Sequence, residues 1–168
     1  MDIYDYCIIW GKKFDSDILN ARRASDLPTT FYTACGEIRP NIHSFSPPAE
    51  AAWISWYSSA QGLSGYLFWA YNNWTSDVLH DTRYKTWPAG DCYQIYPGPR
   101  SSIRFEKLIE GIQDFEKIRI LRDQFVSEKN KSKLAELDKM LQPFTTESIN
   151  KVPASVMLKT AKAALAQF

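Results

Sequence analysis

Four side chains with a common chemistry fall within six residues of each other: Trp69, Tyr71, Asn72 and Trp74, in the run GYLFWAYNNWTSD from Gly65 to Asp77. Aromatic faces stack on the apolar C–H face of a pyranose, and an amide offers its hydroxyls both a donor and an acceptor. Such a set is suited to holding a sugar. Each ring also has a plainer use, Trp69 as core and Trp74 as the anchor of a loop. Tyr32, close to Cys35 at the end of the run TTFYTACG, adds a phenol that serves either a ligand or the core.

Other chemistry-bearing residues are scattered. Glu37, Asp77, Asp81 and Asp91 are the carboxylates of the polar segments. Glu37 and Asp91 would act as an acid and nucleophile pair only with their carboxyls about 5 Å apart. Sequence does not set that separation, so the pair is not adopted. His43 and His80 lack metal-ligand spacing and read as exposed histidines. Cys7, Cys35 and Cys92 are odd in number and far apart, without a C-x-x-C pair, so they read as small buried thiols and neither a disulfide framework nor a zinc site is expected. No metal or cofactor is expected. Arg39 and Arg100, in proline-containing segments, are expected to clamp loops.

These groups need elements to position them. The apolar run around IYDYCIIW predicts a first strand, and Asp15 to Ser25 a short helix ended by Asp26-Leu27-Pro28, since the residue before proline is pushed out of helical geometry. Thr29 to Gly36 reads as the second strand. Ser46 followed by Pro47 predicts a helix start, and Ala49, Ala52, Trp53, Trp56, Tyr57 and Ala60 give its apolar stripe up to Gly62. Tyr66 to Ala70 reads as a third strand, and CYQIYP, beyond a long polar and aromatic segment, as a weaker fourth. Ser101 or Ser102 opens a helix to about Val126, in which Gly111 is expected to permit close packing against a strand. Lys131 to Gln142 and Pro153 to Phe168 supply two further amphipathic helices.

Alternating strands and helices predict an α/β fold of parallel strands joined by right-handed crossovers. Four such units are half of a (β/α)8 barrel, whose site is built by the segments after the strands. Those segments here are CGEIRPN, NNWTSD and YPGPR, the polar ones.

The 168 residues fit one domain of ordinary size. A net charge of +1 gives no field of one sign, which argues against nucleic acid as a partner. No run of about 20 apolar residues is present to insert into a membrane. Five of the six tryptophans lie between Trp53 and Trp87, a local concentration. A phosphate-binding flavodoxin-like reading lacks the glycine-rich loop it needs.

Taken in order, YTACG, GYLFWAYNNW, YPGP and SSIRFEKLIEGIQDFEKIRIL resemble the C-terminal half of the glycoside hydrolase family 123 catalytic domain, also known as domain-of-unknown-function family 4091. The resemblance runs from Ile3 to Leu121. Arg104, Glu106, Gly111, Asp114 and Glu116 match its R-x-E-x(4)-G-x-x-D-x-E helix. A structural role is expected for these charged residues. The resemblance implies approximately the second half of a TIM-type barrel over residues 1–126, with a C-terminal helical extension over 127–168. It also implies a retaining β-N-acetylgalactosaminidase that uses the substrate's own acetamide as nucleophile. Tyr32, Trp69, Tyr71, Asn72 and Trp74 would then be substrate-binding residues, with Tyr32 placed to bond the acetamide or the intermediate it forms.

The family's adjacent Asp-Glu pair, which orients the acetamide and protonates the leaving oxygen, is absent from the 168 residues. The chain is therefore expected to be a fragment, inactive by itself, with no catalytic residue of its own. Its expected partner is an N-acetylgalactosamine-containing glycan, with homodimerisation through unpaired sheet edges as a further expectation. The parent protein is expected to be exported. A non-catalytic carbohydrate-binding or assembly module using the same aromatics is the alternative.

Overall fold

The computed structural model describes residues 6–12 and 14–168. Strand β1 (Tyr6–Ile9) is followed by helix α1 (Ser16–Ala24), strand β2 (Thr29–Tyr32), helix α2 (Ala49–Gln61) and strand β3 (Gly65–Leu67). The part of the expected first strand before Tyr6 lies outside the described residues. The strands are parallel in the order β1-β2-β3, and their register places Ile9, Tyr32 and Leu67 in one row. Four helices follow: α3 (Ile103–Ser127), α4 (Lys131–Leu141), the short α5 (Ser148–Lys151) and α6 (Ala154–Leu165). Among the described residues no helix is long and apolar enough to cross a membrane.

Local chemistry explains most boundaries. Asp15 caps α1 by accepting from the backbone N–H groups of Asp17 and Ile18 at 3.0 and 3.1 Å. Ser102 caps α3 through the N–H of Phe105 at 3.2 Å. The expected cap at Ser46 does not form. Pro48 occupies the cap position of α2 without a side-chain bond, while Ser46 is buried, its hydroxyl without a hydrogen-bond partner among the described residues.

α2 is the centre of the fold. Nine consecutive residues, Glu50 to Ser58, are buried, because the sheet covers one side of the helix and other helices cover the rest. Phe31 of β2 lies 5.0 Å from the Tyr57 ring, and Trp53 stacks on Tyr57 at 5.3 Å. On the far side Phe144, after α4, stacks on Trp56 at 5.1 Å. Trp53 and Trp56 are thus core, and only part of the tryptophan concentration serves anything else. The helices α4 and α6 join the same hydrophobic core.

Three expectations are corrected here. CYQIYP forms no strand: Tyr93 makes a single antiparallel bridge to Asn72 and Tyr96 another to Arg100, so local pairing, closed by Pro97 and Gly98, takes the backbone bonds a fourth parallel strand needs. The sheet therefore has three strands among the described residues, and β3 stops at Leu67, short of the expected Ala70. Gly111 does permit a close approach, but to a helix: a Cβ there would stand 2.8 Å from the Cα of Ala52 in α2.

Candidate functional site

The carboxyl ends of the parallel strands lead into two long connections, residues 33–48 after β2 and 68–102 after β3. Buried polar groups shape both. Glu50, fully buried in the first turn of α2, accepts from Arg39 Nε at 2.8 Å and from the Asn41 N–H at 3.0 Å. Burial pushes its carboxyl above the ordinary carboxylate range, and the Asn41 and Arg39 contacts oppose this. Asn41 donates in turn to the carbonyls of Ala34 and Glu37 at 3.1 and 3.0 Å. Arg39 thus clamps a loop, as expected, and so does exposed Arg100, which donates to the Pro97 carbonyl at 3.0 Å.

The second connection is gripped by Arg104 of α3. Arg104 is 4% exposed, and its guanidinium donates to the carbonyls of Ile42, Gly90 and Tyr93 at 2.6, 2.7 and 2.7 Å. Burial lowers its affinity for the proton, so three good acceptors matter. The residues that follow those carbonyls are His43, Asp91 and Gln94, all buried. A peptide plane fixed at its carbonyl fixes the start of the next residue, so one arginine sets the position of three polar side chains.

Asp91 is where the site comes together. Its Oδ2 accepts from the indole N–H of Trp69 at 2.9 Å, and its Oδ1 lies 3.9 Å from His43 Nδ1. Trp69 meets Trp87 edge to face, with ring centres 4.7 Å apart and planes at 83°. Both residues are 39% exposed, so they form an apolar corner open to solvent beside a buried carboxylate. Tyr84 extends the corner, 6.0 Å from Trp87. Tyr32 belongs to the same neighbourhood: its phenol is raised above the ordinary value first by burial, then by the charges of Asp91, Cys35, Glu37 and Cys7. The Tyr66 hydroxyl, 2.5 Å from Thr33 Oγ1, is raised chiefly by burial, with smaller contributions from Tyr32, Asp91 and Glu37.

The structure therefore bonds Trp69 to Asp91, and Tyr32, at the end of β2, feels the charge of the same carboxylate. The bonds of the other three expected site residues lead elsewhere. Tyr71 lies edge-on to Phe105 of α3 at 5.5 Å, Asn72 is bridged to Tyr93, and the Trp74 indole donates to the Ile95 carbonyl at 2.9 Å. All three remain exposed.

Of the other expectations some change and some hold. His43 is 1% exposed rather than a surface residue, and neither ring nitrogen has a hydrogen-bond partner among the described residues. Burial lowers its pKa; Asp91 opposes this and Arg104 adds to it. His80 is exposed, 2.7 Å from Asp77. Asp81 is held down to about 2 by its hydrogen bonds with Arg83, an exposed pair on the loop surface. Only Cys92 is a buried thiol; Cys7 is half-buried and Cys35 exposed. Arg104, through its bonds to three backbone carbonyls, has the structural role expected of it. Asp114 accepts from the Trp56 indole at 2.9 Å and pairs with Lys162 at 2.6 Å, which is a structural role.

Trp87, His43 and Asp91 are the residues that sequence reasoning did not join to the site. The clustering of tryptophans was the available signal for Trp87. Asp91 is only 3% exposed and already accepts from an indole, so it is placed to orient a ring rather than to attack a substrate. Among the described residues no group of three His, Cys, Asp or Glu side chains is disposed to hold a metal ion.

Comparison with known proteins bears on this geometry. The family model described as glycoside hydrolase 123, catalytic domain, matches residues 1–121. Among solved structures, a family 123 glycoside hydrolase from Clostridium perfringens, studied for glycolipid glycan hydrolysis, superposes with a TM-score of 0.71 at 24% sequence identity. The superposition covers 98% of this chain and 34% of that one, so this chain spans about a third of the relative's length. No match is found among curated proteins.

Proposed function

Because the chain belongs to the glycoside hydrolase 123 catalytic-domain family, we propose that it supplies one wall of a retaining site for terminal β-linked N-acetylgalactosamine. The observation that carries this reading is the open Trp69–Trp87 corner on the loop after β3, its Trp69 bonded to buried Asp91. An axial 4-hydroxyl leaves a galacto-configured ring with a continuous C–H patch on its opposite face. An indole plane matches that patch, and a perpendicular second indole closes one side. Tyr71, Asn72 and Trp74, exposed on the same connection, line the approach for further sugar units.

Substrate-assisted hydrolysis needs one carboxylate to orient the acetamide and one acid to protonate the leaving oxygen; the general two-carboxylate scheme does not apply to this class. We assign both groups to residues outside these 168, in which no Asp-Glu dipeptide occurs. The three parallel strands then form part of a (β/α)8 barrel, with the sugar held at their carboxyl ends. Glycolipid glycans carrying N-acetylgalactosamine are the substrate class in this reading.

The experiment is release of nitrophenol from nitrophenyl β-N-acetylgalactosaminide by the 168-residue chain, paired with a binding titration of methyl β-N-acetylgalactosaminide. Binding without turnover, lost in Trp69→Ala, is the expected result. Turnover abolished by Glu37→Gln or Asp91→Asn would overturn the assignment of the catalytic groups to other residues. Absence of binding would remove the sugar wall itself.

A further inference from the structure

The indole N–H of Trp69 is satisfied by a carboxylate that no ligand can easily reach. Asp91 is 3% exposed, yet its Oδ2 accepts from Trp69 Nε1 at 2.9 Å, while Trp69 itself stays 39% exposed. A tryptophan on a long connection has two side-chain torsions to order when a ligand stacks on it, and a bond made beforehand removes that cost. The carboxylate is itself fixed from behind. Arg104 grips the carbonyl of Gly90, the residue before it, at 2.7 Å, and buried His43 stands 3.9 Å from its other oxygen.

We propose that Asp91 is a positioning residue for carbohydrate recognition: through the Trp69 indole N–H it presets the ring at right angles to Trp87, so that the sugar meets a finished corner. The inference rests on the reading of Trp69 as a sugar platform and adds the residue that aims it. Asp91 touches no substrate in this arrangement and acts entirely through the ring.

The test separates the two levels. Nitrogen-15 spectra of the indole N–H groups report the Trp69 bond without any sugar, and titration with methyl β-N-acetylgalactosaminide reports recognition. Asp91→Ala shifts the Trp69 indole signal and speeds its exchange with solvent. It also weakens binding by roughly three- to tenfold, as expected for one lost hydrogen bond and one unordered ring. Asp91→Asn, which keeps an acceptor oxygen, restores both readouts, and in a Trp69→Phe background Asp91→Ala has no further effect on affinity. The remaining indole signals report folding, and Asp91→Ser, too short to reach the ring, replaces Asp91→Ala should that variant lose them.

An unshifted Trp69 signal in Asp91→Ala and Asp91→Ser overturns the inference whether or not sugar binds. So does a shifted signal with unchanged affinity in a chain whose binding depends on Trp69. Failure of the wild-type chain to bind, or binding indifferent to Trp69→Phe, overturns the functional reading and this inference with it.

Discussion

Arg104 reaches the carbonyl oxygen of Gly90 at 2.7 Å only because Gly90 has no side chain. A Cβ there would stand 2.5 Å from Arg104 Nη1 and 2.8 Å from the backbone nitrogen of Ser44. Gly90 also has a φ of +83°, a conformation other residues adopt at a cost. Gly90→Ala should therefore destabilise the chain by about 2–4 kcal/mol through strain and displacement of the guanidinium. Arg104→Met, which strands three buried carbonyls, should cost about 3–5 kcal/mol, and Arg104→Lys somewhat less. Urea denaturation followed by tryptophan fluorescence measures each. Loss of less than about 1 kcal/mol in Arg104→Met would mean that the connection is held by something else.

At Gly111 the opposing atoms are backbone. An added Cβ would lie 2.8 Å from both the Cα and the carbonyl oxygen of Ala52, and 2.9 Å from Ser55 Oγ. In an isolated helix the change to alanine would stabilise by about 1 kcal/mol. Here α2 and α3 must separate to admit it, and overpacking of this kind costs about 1–3 kcal/mol. Gly111→Ala is expected to lower the midpoint of thermal unfolding, and a raised midpoint would show that the two helices slide apart without penalty.

The same glycine shows how far sequence carried. A glycine inside a strong amphipathic pattern announced a close contact, because little else explains its cost. The pattern did not say that the neighbour would be α2 instead of a strand. Elements with one dominant local signal were legible: α1 between Asp15 and Pro28, α3 after Ser102, and the helices from Lys131 and Pro153. CYQIYP has strand-like side chains, but its backbone partners, Asn72 and Arg100, lie in connections whose course depends on tertiary packing. The site divided in the same way. Trp69 and Tyr32 stood out by type and by position after strands. Asp91 and His43 owe their roles to Arg104, more than ten residues distant from Asp91 in sequence and bonded to backbone atoms that carry no residue identity.

Glu50 offers a test of the first connection. It is fully buried, and its two oxygens accept from Arg39 and from the Asn41 backbone. Arg39 is about a third exposed, at 32%, so solvent screens part of the ion pair. Glu50→Ala should cost roughly 2–3 kcal/mol, most of it from the unpartnered Asn41 N–H and the space left behind. Glu50→Gln keeps an acceptor for one of the two donors and should recover about half. Because Asn41 also holds the carbonyls of Ala34 and Glu37, backbone amide exchange over residues 33–41 should quicken in Glu50→Ala before global unfolding does. Unchanged exchange there would detach Glu50 from the shape of the site.

His43 makes stability depend on pH in a direction that can be worked out. Burial lowers its pKa from the ordinary 6.5, against the raising effect of Asp91 and with the lowering effect of Arg104. Above pH 6.5 the ring is neutral in both folded and unfolded chains, and the histidine contributes nothing to the slope. Below that value the unfolded chain takes up a proton that the folded chain resists, so the unfolded state binds more protons and stability falls as pH falls. The loss continues down to the folded-state pKa and then levels off. Unfolding free energies measured from pH 8 to pH 5 should decline below about pH 6.5, and His43→Gln should flatten the part of the decline that begins there. Glu50 works in the opposite sense. Its raised pKa adds stability below its ordinary 4.5, lost as pH rises through the folded value, so it steepens no decline on acidification. A slope unaltered in His43→Gln would mean that the buried ring is protonated in the folded chain as readily as in the unfolded one, with Asp91 as its counter-ion.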